Sequence, residues 1–469
     1  MHLVRQHILD VNCSSEVLGR EIQTHVSSVL EKEFYPELEK LFDQYAPEDQ
    51  IWMIENLEIE ISEISQKNWK EDIVRKSLEQ IEYFLKLKDL KRIDLKISEK
   101  PAESRTLSFP EFAEKLFLDY LKKGRVTDNS VFFNLKEIIS KIEVSDMFFI
   151  KILNIFKDKK ETILRWIFSV PEDFKDKVYR FSGFNKEFLN KIKTLLIDFR
   201  KENSAETERF SEFLSLMFFL SNKGFSYSEL FAFVNNSSSK YWNFKSKEIS
   251  DFIFKFNQKV TENQIVINRE EYSFMENWKD SISEKIENMA DDFKEKTSDN
   301  EGELIYIENG GLVILHPFLQ RLFESLELTE KNEWKSENDA QKAVLLLHFL
   351  VYGDSDFSED QIVLNKIICG LKSDEVINVN IQLNDDEKEA CEELLNAVVQ
   401  HWSVMSNSSV SALRETFLQR NAKLILNKED FELYVEEKGF DVLLNGLPWG
   451  ISTIRTAWMN KVLFCHWNY

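Results

Sequence analysis

Helix breakers are scarce in this sequence, with 12 glycines and 7 prolines among 469 residues. Large apolar side chains are abundant, 38 of them phenylalanine, and the two features together predict a mostly helical, well-packed protein. The four cysteines, Cys13, Cys369, Cys391 and Cys465, form no CxxC pair, which excludes a zinc knuckle or a dithiol redox motif. They are read as free thiols, mostly buried. No apolar run reaches spanning length, so membrane insertion is not expected. The opening residues lack the basic-then-apolar layout of a signal peptide, which points to a cytoplasmic, soluble protein. Lys and Arg are outnumbered, 60 against 82 Asp and Glu, and the net charge of −22 argues against nucleic acid as a partner. The same charge suits a basic partner surface.

The expected fold class is α+β and predominantly helical. A small N-terminal β-α-β-α-β domain is expected over residues 1–98, with "HLVRQHILDV", "ENLEIEISEI" and "LKRIDLKIS" as strands. Between them, Leu18, Ile22, Val26 and Val29 form a helical stripe with Ser14 or Ser15 as its cap. Pro36 should break or kink that stretch. A second helix is expected from about Asn68 to Leu87. Residues 107–290 read as a middle region of short, loosely repeated amphipathic helices. "LFLDYLKKG", "LMFFLSNKG" and "LLLHFLVYG" each end at a glycine that caps an apolar helix: Gly124, Gly224 and Gly353. Residues 303–469 read as a helical domain, with helices at Ala340–Tyr352, Ser358–Cys369, Asp385–Trp402 and Ser409–Arg420. "KLILNKEDFELYVEEKG" reads as a β-hairpin, and the Trp-rich terminus as short antiparallel strands.

No motif in this chain carries chemistry on its own. Gly446 and Gly450 give a GxxxG without the GK[ST] of a phosphate loop, and there is no GxSxG nucleophile elbow. Cys465 and His466 are adjacent on a strand and therefore face opposite ways. Cys391 and His401 lie ten residues apart on one helix, about 15 Å of rise, too far to share an ion. His316, His348 and His401 sit among apolar residues and read as core histidines. Acidic runs such as "NDDEKEACEE" read as solvated faces, with Asn384 as a helix cap. No catalytic residue, metal ligand or cofactor site is assigned. What remains is aromatic density near the end, at Trp334, Trp402, Trp449, Trp458 and Trp467, read chiefly as core packing.

The sequence resembles the tape-measure protein family of bacterial contractile injection systems, the phage-tail-like particles. The residues that carry the likeness near the start are "HLVRQHILDV" and "EFYPELEKLFDQYAPEDQIWMIENLEIEI". Later they are "ENGGLVILHPFLQRLFESLEL", "AVLLLHFLVYGD", "IVLNKIICGL", "ELLNAVVQHWSVMSNSSVSALRETFLQR" and "LLNGLPWGISTIRTAWM". Relatives often carry Pro-Trp-Trp after the middle helix ending, which "KKGRVTDNS" lacks. The resemblance implies a non-catalytic assembly protein that sets the length of inner tube and sheath and joins the particle. Tube, sheath or baseplate proteins are its implied partners, and the net charge of −22 suits basic surfaces on them. A helical scaffold of the same particle (chaperone, cap or baseplate adaptor) stays open as the alternative, and an unrecognised enzyme as a third. Gly446, Pro448, Trp449, Gly450 and Trp458 are the expected structural or partner-contact signature, with the two glycines permitting tight turns.

Overall fold

The computed structural model of the chain describes residues 2, 4, 7–13, 15–46, 50–54, 57–61, 64–90, 104–126, 135–262, 269, 272–277 and 302–467. Two compact units are formed: Met1–Leu116 with Asp128–Glu143, and Phe117–Thr127 with Val144–Tyr469. The class is α+β and predominantly helical, as the composition predicts.

In the first unit, helix α1 (Glu16–Val29) follows Ser15 as its cap residue, whose side chain makes no capping bond. It runs through a π turn (Leu30–Phe34) into α2 (Tyr35–Tyr45), so the chain does not break before Pro36. Proline has no N–H to donate to the turn behind it, and a wider turn accommodates that loss. The stripe residues Ile22 and Val29 pack on Trp69 and Ile73 of α3 (Trp69–Leu90). Further along, Phe34 and Leu38 meet Ile81 and Leu85.

The strands of this unit fall at other places than the alternation predicts. β1 (Gln50–Ile54) pairs antiparallel with β2 (Ser104–Ser108), Trp52 opposite Thr106. The alternating residues 57–61 have no strand pairing, yet Leu57 and Ile59 do turn toward the core while Glu58 and Glu60 face water. Alternation reports which side is buried, not whether a ladder partner exists. The described residues of "HLVRQHILDV" are likewise not a strand, and residues 91–98 lie outside the described residues.

The unit boundary falls within α4 (Phe109–Lys123). Helix α5 (Leu135–Lys141) belongs to the first unit. The second unit continues with α6 (Asp146–Asp158), α7 (Glu161–Ser169), α8 (Glu172–Ser182), α9 (Lys186–Arg200), α10 (Ala205–Ser221), α11 (Tyr227–Trp242) and α12 (Ser246–Thr261). Ser145, Asn185 and Ser204 cap three of these by accepting from the N–H of Phe148, Phe188 and Thr207. Phenylalanines fill the space between them: Phe117 meets Phe174 and Trp166 edge-on, at 5.2 and 6.3 Å. Helix α10 is buried on nearly every side, so its sequence carries little polar face.

The rest of the second unit begins with β3 (Glu303–Ile307), a 3-10 turn (Gly310–Leu315) and α13 (His316–Ser325). The short strands β4 (Thr329–Glu330) and β5 (Glu333–Trp334) lead into α14 (Glu337–Tyr352), α15 (Val363–Ile368) and α16 (Asp385–His401). Asn384 and Glu387 form the capping box expected of "NDDE". Helix α17 (Val410–Leu413) widens into a π turn (Arg414–Leu418). The predicted hairpin is β6 (Ala422–Leu426) and β7 (Asp430–Val435), closed at Asn427 and Asp430. With β8 (Thr453–Ile454) and β9 (Val462–His466) these strands make one sheet in the order β3-β6-β7-β9-β8. β9 is antiparallel to β8 but parallel to β7, and that parallel pair is no part of the sequence reading. One face of the sheet, through Ile305, Leu424, Leu433 and Cys465, covers the helices. Gly124, Gly224 and Gly353 all adopt positive φ (71°, 78° and 77°), which is the left-handed conformation that ends an apolar helix.

Candidate functional site

The closing stretch is a brace. A 3-10 turn (Asp441–Gly446) carries the chain past Trp402, whose indole N–H donates to Leu443 O at 3.2 Å. A Cβ at Gly446 would lie 2.5 Å from Val404 Cγ2, so a larger residue there would push the exposed Val404 side chain aside. Gly450 is different: a Cβ there meets nothing within 4 Å, and its φ is not left-handed. Pro448 is exposed between them. Trp449 turns inward, donates to Ile314 O at 2.9 Å and meets Phe318 edge-on at 4.9 Å. Trp458 stacks on Trp334 at 4.5 Å and meets Phe323 edge-on at 5.3 Å. Its carbonyl passes so close to Gly370 that a Cβ there would stand 2.1 Å from the oxygen, at a φ of +74°. Trp334 and Thr456 bond the end of α15, donating to Cys369 O and Ile368 O.

Buried charge groups hold this unit, and two of them, centred on Asp441 and Glu359, are not visible as motifs. Asp441 takes two bonds from Arg420, both 2.8 Å, and one from the indole of Trp467 at 2.9 Å. Burial pushes its carboxyl up, but these donors and the Lys438 N–H together hold it below its ordinary value. The second group is fully enclosed. Arg165 on α7 grips Glu359 through Nε and Nη2, at 2.8 and 3.0 Å. It also donates to the carbonyls of Leu121 and Asp374, and Lys366 meets Glu359 at 3.1 Å. Burial opposes the charge on Glu359, yet Arg165 and Lys366 keep its pKa below the usual range. A Cβ on Gly124 would come within 2.4 Å of Glu359 Oε1, so this glycine serves both the helix end and the ion pair. The only sequence signal for the group is Lys366 itself, a charge inside the apolar run "IVLNKIICG".

The remaining candidates for chemistry are placed apart. Cys465 is buried and His466 exposed, on opposite faces of β9. Burial pushes the Cys465 and Cys391 thiols up to about 12. His316 is half-buried and bonded to Val313 O at 2.9 Å. His348 is buried and bonded to Asp356 O at 2.9 Å. Burial lowers the pKa of both histidines. His401 departs from the core reading: it is exposed, because α16 ends there and only its preceding turns face inward. Among the described residues, no group of three or more His, Cys, Asp or Glu is arranged to hold a metal ion.

Trp402 and Trp467 are fully enclosed, and Trp334, Trp449 and Trp458 lie half-buried against the same core. That is the packing role expected of the aromatic residues. None of the described helices is long and apolar enough to cross a membrane. No curated protein and no solved structure matches the chain. The family model described as contractile injection system tape measure protein matches residues 1–467. Because that match spans both compact units and the braced terminus, the chain belongs to the contractile injection system tape measure protein family.

Proposed function

We propose that this chain acts in particle assembly as the measure of tube and sheath length, without catalysing a reaction. The observation that carries the reading is the family match over residues 1–467. Residues 107–290, the run of short helices, are proposed as the length-bearing part, and residues 303–469 as an end piece. Of the signature Gly446, Pro448, Trp449, Gly450 and Trp458, the two tryptophans and Gly446 then brace that end piece, and the exposed Pro448 and Gly450 are proposed for partner contact. The hydrogen bond of Trp449 to Ile314 and the stacking of Trp458 on Trp334 support this role. The net charge of −22 favours docking on basic surfaces of tube, sheath or baseplate proteins. The protein is proposed to be made in the cytoplasm and to join the particle there.

A second reading is a folded cap, chaperone or baseplate adaptor. It is favoured by the enclosed Arg165–Glu359–Lys366 group, which a chain stretched along a tube would have to surrender. Fully helical, 469 residues would extend about 700 Å at about 1.5 Å each, whereas the longest described helix has 22 residues. Electron microscopy of particles assembled without this protein separates the two. Particles of irregular length support the measure, and a complete lack of particles supports the adaptor.

A further inference from the structure

The apolar core built on Ile305–Trp467 draws only on residues from 305 onward. The helices α6–α12 bury their own phenylalanines, and among the described residues the most closely packed element pairs lie within one part or the other of the second unit. Across the line between the two parts the described residues form a set of ion pairs. Lys123 and Arg125 pair with Glu303, Lys159 with Asp374, Arg165 with Glu359, and Lys240 with Glu337 and Glu375. In each of these pairs the cation comes from the helical part and the anion from the part beginning at residue 303. The loop between α15 and α16 adds amide bonds: Asn378 and Asn380 donate to Tyr241 O, and Arg209 donates to Asn380. Charge-rich boundaries of this kind resemble a transient docking surface more than a continuous core.

We propose that this boundary is a release joint: residues 303–467 separate from the helical part as an intact folded body when its ion pairs are broken. Arg165 is the central pin, since it alone reaches Leu121, Glu359 and Asp374 from one guanidinium. Removing it leaves Glu359 still paired with Lys366, so the end body keeps its own charge balance. The joint is a property of the fold and stands whether the chain measures length or acts as an adaptor.

The test is hydrogen exchange of the full chain, followed by mass spectrometry, in Arg165→Met and in a charge exchange at Lys159 and Asp374. In R165M, exchange across residues 371–383 should rise about tenfold or more as local opening becomes easier. Protection in α14, β6 and β7 should stay as in the wild type. Lys159→Asp and Asp374→Lys should each loosen the same loop, and the double variant should restore it. Loss of protection throughout 303–467, or an unchanged loop in R165M, would overturn the proposal. If R165M does not fold, the Lys159 and Asp374 set decides: failure of the double variant to restore protection counts against a charge-held joint.

Discussion

Trp449 donates its indole N–H to the carbonyl of Ile314 at 2.9 Å, across 135 positions of sequence. That single bond ties the closing brace to the 3-10 turn at the start of the same body. Ile314 is buried, and Phe318 one turn on meets the same indole in a T-shaped contact. Trp449→Ala removes both bond and packing. It should cost about 3 kcal/mol, the low end for a buried tryptophan because the side chain is half-buried. Trp449→Phe keeps the ring contact and should cost about 1 kcal/mol for the lost bond. Denaturant unfolding of both variants measures the difference. Unchanged stability with lost particle assembly would instead place Trp449 at an interface.

The glycines divide by space. A Cβ at Gly311 would lie 1.6 Å from Phe417 O, and one at Gly370 2.1 Å from Trp458 O. Backbone cannot yield as a side chain can, so Gly311→Ala and Gly370→Ala should each destabilise by more than about 3 kcal/mol. Gly450→Ala meets open space and should stay within about 0.5 kcal/mol of the wild type. Thermal unfolding of the three variants side by side tests this ordering.

Asp441 gives the brace a pH dependence. Its folded pKa lies below its ordinary value, so the stability it contributes is present above the unfolded pKa of about 3.9. That contribution is lost as pH falls from there through the folded value. Asp441→Asn leaves Arg420 buried without its anion and should cost about 3–5 kcal/mol at neutral pH. The gap between wild type and variant should narrow below about pH 4, measured as unfolding midpoints from pH 7 to pH 3.

Much of this fold is legible where local rules act alone. The capping box at Asn384, the glycine ends at 124, 224 and 353, and the hairpin around Asn427 all follow from short-range chemistry. Burial of alternate side chains at Leu57 and Ile59 is also legible, but their lack of a ladder is not. Pairing depends on a distant strand, and "SRTLS" carries no alternation that would single it out. The parallel pairing of β7 with β9 is hidden for the same reason. At the site, the five signature residues could be picked out by aromatic and turn chemistry, but only the fold separates Gly446, packed close to Val404, from Gly450, which faces open space. The Arg165–Glu359 pair spans 194 positions, and nothing local to either residue foretells it.

The claim that this chain measures length is tested most directly by changing the proposed ruler. Whole helix-and-turn segments between residues 107 and 290 would be removed or duplicated, and the length of assembled particles measured by electron microscopy. The account predicts that mean particle length shifts in the same direction as the change, with a narrow distribution retained. Particles of unaltered length, assembled in normal number from both shortened and lengthened chains, would contradict it.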